Sequence, residues 1–434
     1  MAKLINIFIF VMILTGICLP QKKLTLNDAV QQTLANNYSI HIAKANTEIL
    51  NNNTSLGNSG LLPELSASGS LSGNKSHIRQ EYNTGEVYEY SEVNSDNAIA
   101  SISLSWTIFD GFKMFASLSR YKELNKSGEL TLKNEIENAV YSLMTNYYGI
   151  VHDVKLLKAY RNSLEISKIR FGIVSDQKEL GSASKFDVLQ AQVDLNEDSS
   201  NVMRQDVKIS KAKIILRQIM GVKVPFEFIL EDSVKIKSYY DYDQLFDATE
   251  NNNKEILLAN QKIAISNLDI SLSKSDLYPK INVNAGYGFN RAENDINQVK
   301  VNKSYGVNYG IGASLNIFDG FNISRQIENA EISRKIAELQ LEDLKTKVRA
   351  TLLSAYKNYT TNFSLMQLEK ANLKVAEENV DIAKDKLKLG TITYLEFRKI
   401  QNDFLNAENR LFNAEYDTKI SEIDLLKLSG QILN

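Results

Sequence analysis

Phe109-Asp110-Gly111 is the stretch that decides the fold of this chain, because it occurs twice. Phe318-Asp319-Gly320 repeats it 209 residues later. The same offset relates Leu180-Gly181 to Leu389-Gly390, and Gly221 to Gly430. An ungapped self-similarity of this length is an internal repeat, and its period is far too long for a solenoid. The chain therefore consists of two copies of one domain-sized unit.

The composition favours very long helices. The 434 residues contain four prolines, and long tracts rich in Leu, Lys, Glu, Asn and Ala carry no helix breaker. The formal net charge is -2, and no dense block of Lys and Arg occurs. The chain therefore lacks the basic footprint of a nucleic-acid-binding protein, and no nucleic-acid partner is expected.

Residues 1–20 have the pattern of a secretory signal, with Lys3 before an apolar core and small residues near its end. The apolar core is short for a membrane span and nothing similar follows, so no transmembrane helix is expected in the mature chain. Cys18 is the only cysteine, which excludes an internal disulfide. It is either an acylated lipoprotein cysteine or a residue lost with the signal.

A first helix is predicted from Leu26 to Leu61. Asn27 or Asp28 can cap its start, apolar residues recur with helical spacing, and Pro63 ends it. A similar pattern precedes Pro279 in the second copy.

Behind each of these prolines the period changes to two, as in β-strands. Residues 65–71, 98–108, 281–289 and 305–317 alternate between apolar and small polar side chains. A water-facing sheet is one interpretation. Membrane-spanning strands, about 9–11 residues long, are the other. Aromatic residues near the strand ends favour the second interpretation: Trp106, Phe109, Tyr287, Phe289, Tyr305 and Phe318. The polar links 73–97 and 290–304 are then expected as external loops.

Four strands cannot close a barrel. Open sheet edges do not face lipid, because each unpaired backbone group there costs several kcal/mol. Known bacterial barrels have at least about eight strands. If the sheet spans a membrane, the chain must therefore oligomerise, as a dimer with eight strands or a trimer with twelve.

A helix of about 70 residues, on the order of 100 Å long, is predicted from Gly111 to Leu180. Apolar residues recur in it every seven positions, as in coiled coils: Leu143, Ile150, Leu157, Leu164 and Phe171, with Leu352, Tyr359, Met366, Leu373 and Val380 in the second copy. Gly181 and Gly390 are expected to end the long helices, and Ser184 and Thr393 to cap the returning ones.

The expected organisation is a signal at 1–20, a first repeat at 24–221, a linker at 222–241 that contains Pro225, and a second repeat at 242–430. Each repeat is predicted to contain two strands and a layer of long and short helical rods. The fold class is α+β.

In these landmarks the chain resembles the outer-membrane efflux protein family, the TolC-like exit ducts. The resemblance rests on the Leu-Thr-Leu opening, both helix-ending prolines, both Phe-Asp-Gly motifs and both glycine turns. It implies a homotrimer with a twelve-stranded β-barrel in outer-membrane lipid, continued by a long α-helical barrel in the periplasm. It also implies a periplasmic adaptor protein and an inner-membrane transporter of RND, ABC or MFS type as partners.

The same resemblance assigns the two helical turns to the periplasmic tips, where the duct closes and meets the adaptor. These residues are Gly181, Ser182, Ala183 and Ser184 in the first copy, and Gly390, Thr391, Ile392 and Thr393 in the second. Candidates for lining the gate follow each turn: Asp187, Asp194, Glu396, Lys399 and Asp403. Arg398 lies among them.

Motifs for catalysis or cofactor binding are not found. His41, His77 and His152 lack the spacing of metal ligands, and the chain contains no phosphate-binding loop. The chain is therefore expected to be a passive exit duct of an efflux pump or type I secretion system, and not an enzyme, with no metal or cofactor. The alternative is an exported structural coiled-coil protein of the periplasm or cell surface.

Overall fold

The computed structural model describes residues 22–222, 228–230, 234–296 and 298–433. The predicted signal at 1–20, Cys18 and Pro225 lie outside these residues, so the predictions for them stay predictions.

The described residues form eight helices and six strands. The first half contains β1 (Lys22–Leu24), α1 (Leu26–Asn36), α2 (Tyr38–Asn52), β2 (Glu64–Glu81), β3 (Val87–Asp110), α3 (Lys113–Glu179) and α4 (Lys185–Met220). The second half contains β4 (Phe228–Leu230), α5 (Tyr242–Asn252), α6 (Lys254–Ser275), β5 (Lys280–Asn294), β6 (Val301–Ser314), α7 (Asn322–Lys388) and α8 (Tyr394–Leu428). The two long helices, α3 and α7, have 67 residues each, as the repeat predicted.

The chain divides into two compact units, and each draws on both halves of the sequence. One unit contains the described residues of 1–44, 131–257 and 344–434, and the other contains 45–130 and 258–343. These units differ from the predicted repeats at 24–221 and 242–430, and the division into repeats stays a prediction.

The first unit has an apolar core where α3, α4 and α8 meet the small sheet of β1 and β4. These two strands run parallel and pair Lys22 to Leu24 with Phe228 to Leu230. Core side chains come from all of these elements: Leu24, Leu143, Tyr147, Ile150, Leu216, Met220, Phe228 and Ile423. The Tyr147 hydroxyl donates to the Leu24 carbonyl at 3.1 Å, so β1 is held to α3 by a hydrogen bond as well as by packing.

The predicted single helix from Leu26 to Leu61 is wrong, because the chain forms two shorter helices separated by Asn37. The Asn37 side chain accepts hydrogen bonds from the backbone of Ser39 and Ile40, and donates to the Ile219 carbonyl at 2.7 Å. It thus caps the second helix and ties the break to α4. Asn253 separates α5 from α6 in the same way and donates to the Leu428 carbonyl at 3.0 Å.

Two further boundaries of this region differ from the prediction. The first helix is capped by Thr25, which forms a reciprocal capping box with Asp28, so neither Asn27 nor Asp28 is the cap residue. The second helix ends at Asn52, not near Leu61, and turns lead from there to Pro63.

The heptad prediction is confirmed in part. Leu143, Ile150 and Leu157 are buried, whereas Leu164 and Phe171 are only half-buried. Toward the end of α3 the buried positions become Ser163, Ser167, Arg170 and Val174. In α7, Leu352, Tyr359 and Val380 are buried, while Met366 and Leu373 are half-buried.

The second unit contains an antiparallel sheet in the order β2-β3-β5-β6. Its strands have 18, 24, 15 and 14 residues, longer than predicted. The links predicted as loops at 73–97 and 290–304 are mostly strand, because β2 and β3 pair as far as Glu81 and Val87, and β5 and β6 pair as far as Glu293 and Val301.

One face of this sheet is apolar and exposed in the single chain. Leu65, Leu71, Ile102, Tyr287, Val307 and Tyr309 alternate along the strands with Ser, Asn and Gly on the other face. The outer edges of β2 and β6 have no partner strand among the described residues. Asp110, the last residue of β3, accepts a hydrogen bond from the Met114 backbone at 3.2 Å. In the second half of the chain, Asp319 accepts one from the Asn322 backbone at 3.0 Å. The aspartates of both Phe-Asp-Gly motifs therefore stabilise the starts of the long helices.

None of the helices in the described ranges is both long and apolar enough to cross a bilayer.

Candidate functional site at the helical tips

Glycine ends both long helices where the sequence predicted. Gly181 (φ +78°) and Gly390 (φ +69°) adopt the left-handed conformation that glycine tolerates best. The Ser182 amide donates to the Gln177 carbonyl at 2.8 Å, and the Gly181 amide donates to Lys178 at 3.1 Å. This pair of bonds is the Schellman arrangement, which satisfies the last carbonyls of the helix. The corresponding bonds recur at the second turn.

The returning helices begin with capping boxes, as predicted for Ser184 and Thr393. The Asp187 carboxylate accepts from the Ser184 backbone at 2.9 Å, and Glu396 accepts from the Thr393 backbone at 2.7 Å. Both carboxylates also accept from the hydroxyl of the cap residue. Hydrogen bonds from Ser184 lower the pKa of Asp187, and those from Thr393 lower the pKa of Glu396, because they favour the charged form.

Behind the first turn lies a set of buried and half-buried polar side chains, here called the tip network: Ser163, Ser167, Arg170, Asp194, Asp198, Tyr394, Arg398 and Gln401. Arg170 is central and its side chain is 1 % exposed. Its guanidinium donates to Asp194 at 3.1 Å and to the Gln401 side-chain oxygen at 3.0 Å. It also lies 4.9 Å from the centre of the Tyr394 ring. Burial lowers the pKa of Arg170.

Asp194 receives several donors. Tyr394 donates its hydroxyl to this carboxylate, and the Gln190 amide donates to it at 3.2 Å. Burial and the bond to Asp194 raise the pKa of Tyr394, so the phenol remains a donor at physiological pH.

A second ion pair completes the network. Arg398 lies 2.9 Å from Asp198 and 3.6 Å from Asp194. The Ser167 hydroxyl also donates to Asp198. Burial works to lower the pKa of Arg398, but its hydrogen bond with Asp198 and the nearby carboxylates leave that pKa raised. The charged form of Arg398 is therefore favoured.

The tip network joins three helices. Arg170 is on α3, the two aspartates are on α4, and Tyr394, Arg398 and Gln401 are on α8. The Gln401 amide donates to the Ser163 carbonyl and hydroxyl, both at 3.1 Å. Removing one of its charged members would leave an opposite buried charge without full compensation, which costs more than losing an exposed ion pair. The network can therefore hold the second helical hairpin against the first.

The predicted gate residues do not form one cluster within the chain. Asp194 belongs to the tip network. Asp187 is half-buried and Glu396 is exposed, and each is the acidic partner of the cap residue in its capping box. Lys399 and Asp403 are exposed on α8. Their role in lining a gate stays a prediction, as does the role of the tip residues in adaptor contact.

The sequence pattern did not predict Arg170, Asp198, Tyr394 or Gln401 as site residues, and it placed Arg398 only among the gate candidates. A signal was present in the repeat. At the offset of 209 residues, Arg170 corresponds to Asn379, Asp198 to Ala407 and Arg398 to Leu189. Charges that occur in only one copy mark positions where the two copies differ in environment. Asp194 differs from these, since its counterpart Asp403 is also acidic.

The described residues contain no group of three or more His, Cys, Asp or Glu side chains placed to hold a metal ion.

Comparison with known proteins places this architecture. The family described as "Outer membrane efflux protein" matches residues 29–222 and 245–431. The outer membrane efflux protein BepC of Brucella suis biovar 1 is 20 % identical over 410 residues, covering 94 % of this chain and 86 % of that protein. The outer membrane protein TolC of Escherichia coli K12 is 20 % identical over 376 residues, covering 82 % and 76 %.

The fold also matches a solved structure. The outer membrane channel CmeC of Campylobacter jejuni superimposes with a TM-score of 0.77 at 18 % identity, covering 94 % of this chain and 86 % of that chain. At this identity the likeness shows the fold.

Proposed function

The chain belongs to the outer membrane efflux protein family, and on this basis we propose that it is the outer-membrane channel of an efflux or type I secretion system. The observation that carries the proposal is the family match to both halves of the chain, together with two helical hairpins and a four-stranded sheet that has one apolar face. The channel is a passive conduit without a catalytic step. The same match favours a channel over an exported structural coiled-coil protein.

Two features of the sheet support the proposals of a trimer and of a closed β-barrel. Its apolar face suits contact with lipid, and the open edges of β2 and β6 need partner strands in a membrane. Three chains that pair β2 of one copy with β6 of the next would give twelve strands. The small polar face would then line a water-filled lumen, as in other channel-forming barrels.

The helical hairpins supply the periplasmic part of the duct. In the proposed assembly, the turns at Gly181 and Gly390 face the adaptor protein, and the adaptor links the channel to an inner-membrane transporter. Ser182, Ala183 and Ser184 in the first turn, with Thr391, Ile392 and Thr393 in the second, are the proposed contact residues. Energy for export comes from the transporter, because the chain has no phosphate-binding loop.

The tip network acts as the latch that keeps the tips closed. Opening requires α8 to move away from α3 and α4, which breaks the contacts of Arg398 with Asp198 and of Tyr394 with Asp194. The half-buried carboxylate of Asp187 and the exposed side chains of Glu396, Lys399 and Asp403 line the constriction that this movement widens.

Single-channel conductance in planar bilayers tests the latch. Asp194→Asn removes the charge that compensates Arg170, and we expect openings to become at least about tenfold more frequent. Asp206→Asn is the matched control on the same helix, because Asp206 pairs with Arg161 in an exposed ion pair at 3.2 Å. It should leave the openings unchanged. Equal behaviour of both variants would contradict the latch.

Light scattering of the detergent-solubilised protein, corrected for bound detergent, tests the assembly. Three chains per particle support the twelve-stranded barrel. A stable monomer would leave four strands with open edges and would overturn the channel. Release from membranes by salt or alkali without detergent would point to the structural coiled-coil alternative.

A further inference from the structure

The hairpin of β2 and β3 extends beyond the rest of the sheet. Pairing between β3 and β5 stops at Ser95 with Asn294, whereas β2 and β3 remain paired as far as Glu81 with Val87. Residues 75–94 therefore form a two-stranded projection, here called the projecting hairpin. At its base Asp295 accepts hydrogen bonds from the Asn94 backbone at 3.2 Å and from the Asn94 side chain at 3.1 Å. These bonds fix the place where the hairpin leaves the four-stranded sheet.

The two faces of the projecting hairpin differ in chemistry. Paired residues on neighbouring strands share a face, so Ile78 and Gln80 lie with Tyr90 and Tyr88. On β2 these are even-numbered positions, like Ser66, Ser68, Ser70 and Ser72 on the small polar face of the sheet. The odd-numbered face carries the apolar residues of the sheet below, but charged pairs in the projection. Aromatic side chains thus occur on the opposite face from the apolar belt.

A β-bulge lies where the chemistry of the two faces changes. Ser76 pairs with Val93 and Ile78 with Tyr90, so β3 carries one extra residue between the two pairs. Glu92, within the bulge, has a φ of +56°, which is uncommon for a residue with a side chain. The bulge keeps both tyrosines of β3 on the even-numbered face.

Three tyrosine rings cluster on this face, which we call the tyrosine face. The centres of Tyr82 and Tyr88 are 5.6 Å apart with the rings at 84°, and those of Tyr88 and Tyr90 are 6.5 Å apart with the rings at 10°. Tyr82 is 52 % exposed and Tyr88 is 45 % exposed. The rings therefore contact one another and also present area to a ligand.

Charge on the hairpin favours a cationic ligand. Lys75 and Arg79 lie on the odd-numbered face, where they face Glu92 at 3.1 Å and Glu89 at 3.7 Å. Glu86 lies beside the rings and accepts from the Tyr88 hydroxyl at 3.4 Å. No Lys, Arg or His in the described ranges forms an ion pair with Glu86. The tyrosine face thus combines electron-rich rings with a carboxylate that no cation neutralises, the combination that attracts organic cations.

We propose that the tyrosine face, formed by Tyr82, Glu86, Tyr88 and Tyr90, is a binding site for organic cations with a flat apolar body, such as benzyl quaternary ammonium ions. The rings contact the apolar body and the cationic centre, and Glu86 supplies the opposite charge. The tyrosine face continues the small polar face that would line the lumen, so its place on the exit path rests on the proposed function. Binding itself does not.

Equilibrium binding of benzyltrimethylammonium to the full chain in a non-ionic detergent tests the site, with empty micelles as the blank and benzyl alcohol as the neutral probe. The wild-type protein should bind the cation saturably and the alcohol at least about tenfold more weakly. Tyr88→Leu with Tyr90→Leu should weaken cation binding about tenfold, whereas Tyr88→Phe with Tyr90→Phe keeps the rings and should retain it.

Two charge variants provide a matched comparison. Glu86→Gln should weaken binding several-fold, while Glu89→Gln removes the same charge from the opposite face and should leave binding unchanged. Equal affinity for the alcohol, equal effects of the two variants, or no saturable binding by the wild-type protein would overturn the proposal. A protein that forms channels but does not bind the cation would refute only this inference. A protein that binds the cation but forms no channel would refute the proposed function instead.

Discussion

Replacing Arg398 by Gln tests the tip network most directly. The Arg398 side chain is 11 % exposed, and it contacts Asp198 at 2.9 Å and Asp194 at 3.6 Å. Arg398→Gln removes the positive charge but keeps a side chain able to donate hydrogen bonds. Two buried carboxylates are then left with Arg170 as their only cation within the tip network.

The expected loss of stability follows from the burial of this ion pair. Removing one partner of a buried ion pair destabilises a protein by about 3–5 kcal/mol, because the remaining charge is poorly solvated. The amide of the introduced glutamine would recover part of the lost hydrogen bonding, so we expect about 3 kcal/mol for the opening of this part of α8. At about 1.4 kcal/mol for each factor of ten, this equals roughly a hundredfold increase in the population of the open form.

Native-state hydrogen exchange, read by mass spectrometry on peptides from α8, measures this opening. Amides of residues 398–408 should exchange about a hundredfold faster in Arg398→Gln, with little change near the end of the helix. Arg410→Gln is the control on the same helix. Arg410 is 52 % exposed and pairs with Glu369 at 3.0 Å, so its loss should cost about 0–1 kcal/mol.

Two results would refute the reasoning. One is a change of less than about tenfold in Arg398→Gln. The other is an equal change in both variants, which would mean that burial does not set the energy of the network. A double-mutant cycle with Asp198→Asn adds a further check, since the two changes should be strongly non-additive if the pair acts as a unit.

Three other perturbations follow from the structure. Gly181→Ala should lower the free energy of unfolding by about 1–2 kcal/mol, through left-handed backbone strain alone. Gly221→Ala should lower it further, because its new Cβ would lie 2.3 Å from a backbone oxygen at the end of α1. Urea unfolding of the two variants measures the difference. Burial and then repulsion from another carboxylate raise the pKa of Glu408 to about 7, so the folded state binds the extra proton, and local stability of α8 should fall as pH rises from about 4.5 to 7. Hydrogen exchange across that range should show the trend in the wild type and not in Glu408→Gln. Glu422→Gln should release the segment 234–240, because the buried Glu422 carboxylate accepts from the Lys237 backbone at 3.0 Å and pairs with Lys419; limited proteolysis should detect faster cleavage there, and slow cleavage would contradict this anchoring role.

Much of the fold was predictable because its signals are local. A glycine that ends a helix, a cap residue followed by a carboxylate three positions later, and alternation along a strand each depend on a few neighbouring residues. The turns at Gly181 and Gly390 and the caps Ser184 and Thr393 are therefore where the sequence placed them. The duplication added a second, independent copy of each signal.

The boundaries that failed depend on contacts between distant residues. Asn37 looked like an ordinary helical position, yet its amide reaches the Ile219 carbonyl, 182 residues away, and the helix breaks there. The strands of the projecting hairpin have polar sequences typical of a loop, but cross-strand pairing extends them. The periodicity of the sequence does not show which distant residue pairs with Asn37 or which strand pairs with which.

The sequence by itself determined the duplication, the long helices with their turns, the four strands and the family. Only the tertiary structure decided which polar residues are buried together. Arg170 and Gln401 are 231 residues apart in the chain, and Arg398 and Asp198 are 200 apart, yet each pair is in hydrogen-bond contact. A charge in a helix has the same local pattern whether it faces water or another helix, so its energetic role is set by the partner that packing brings to it.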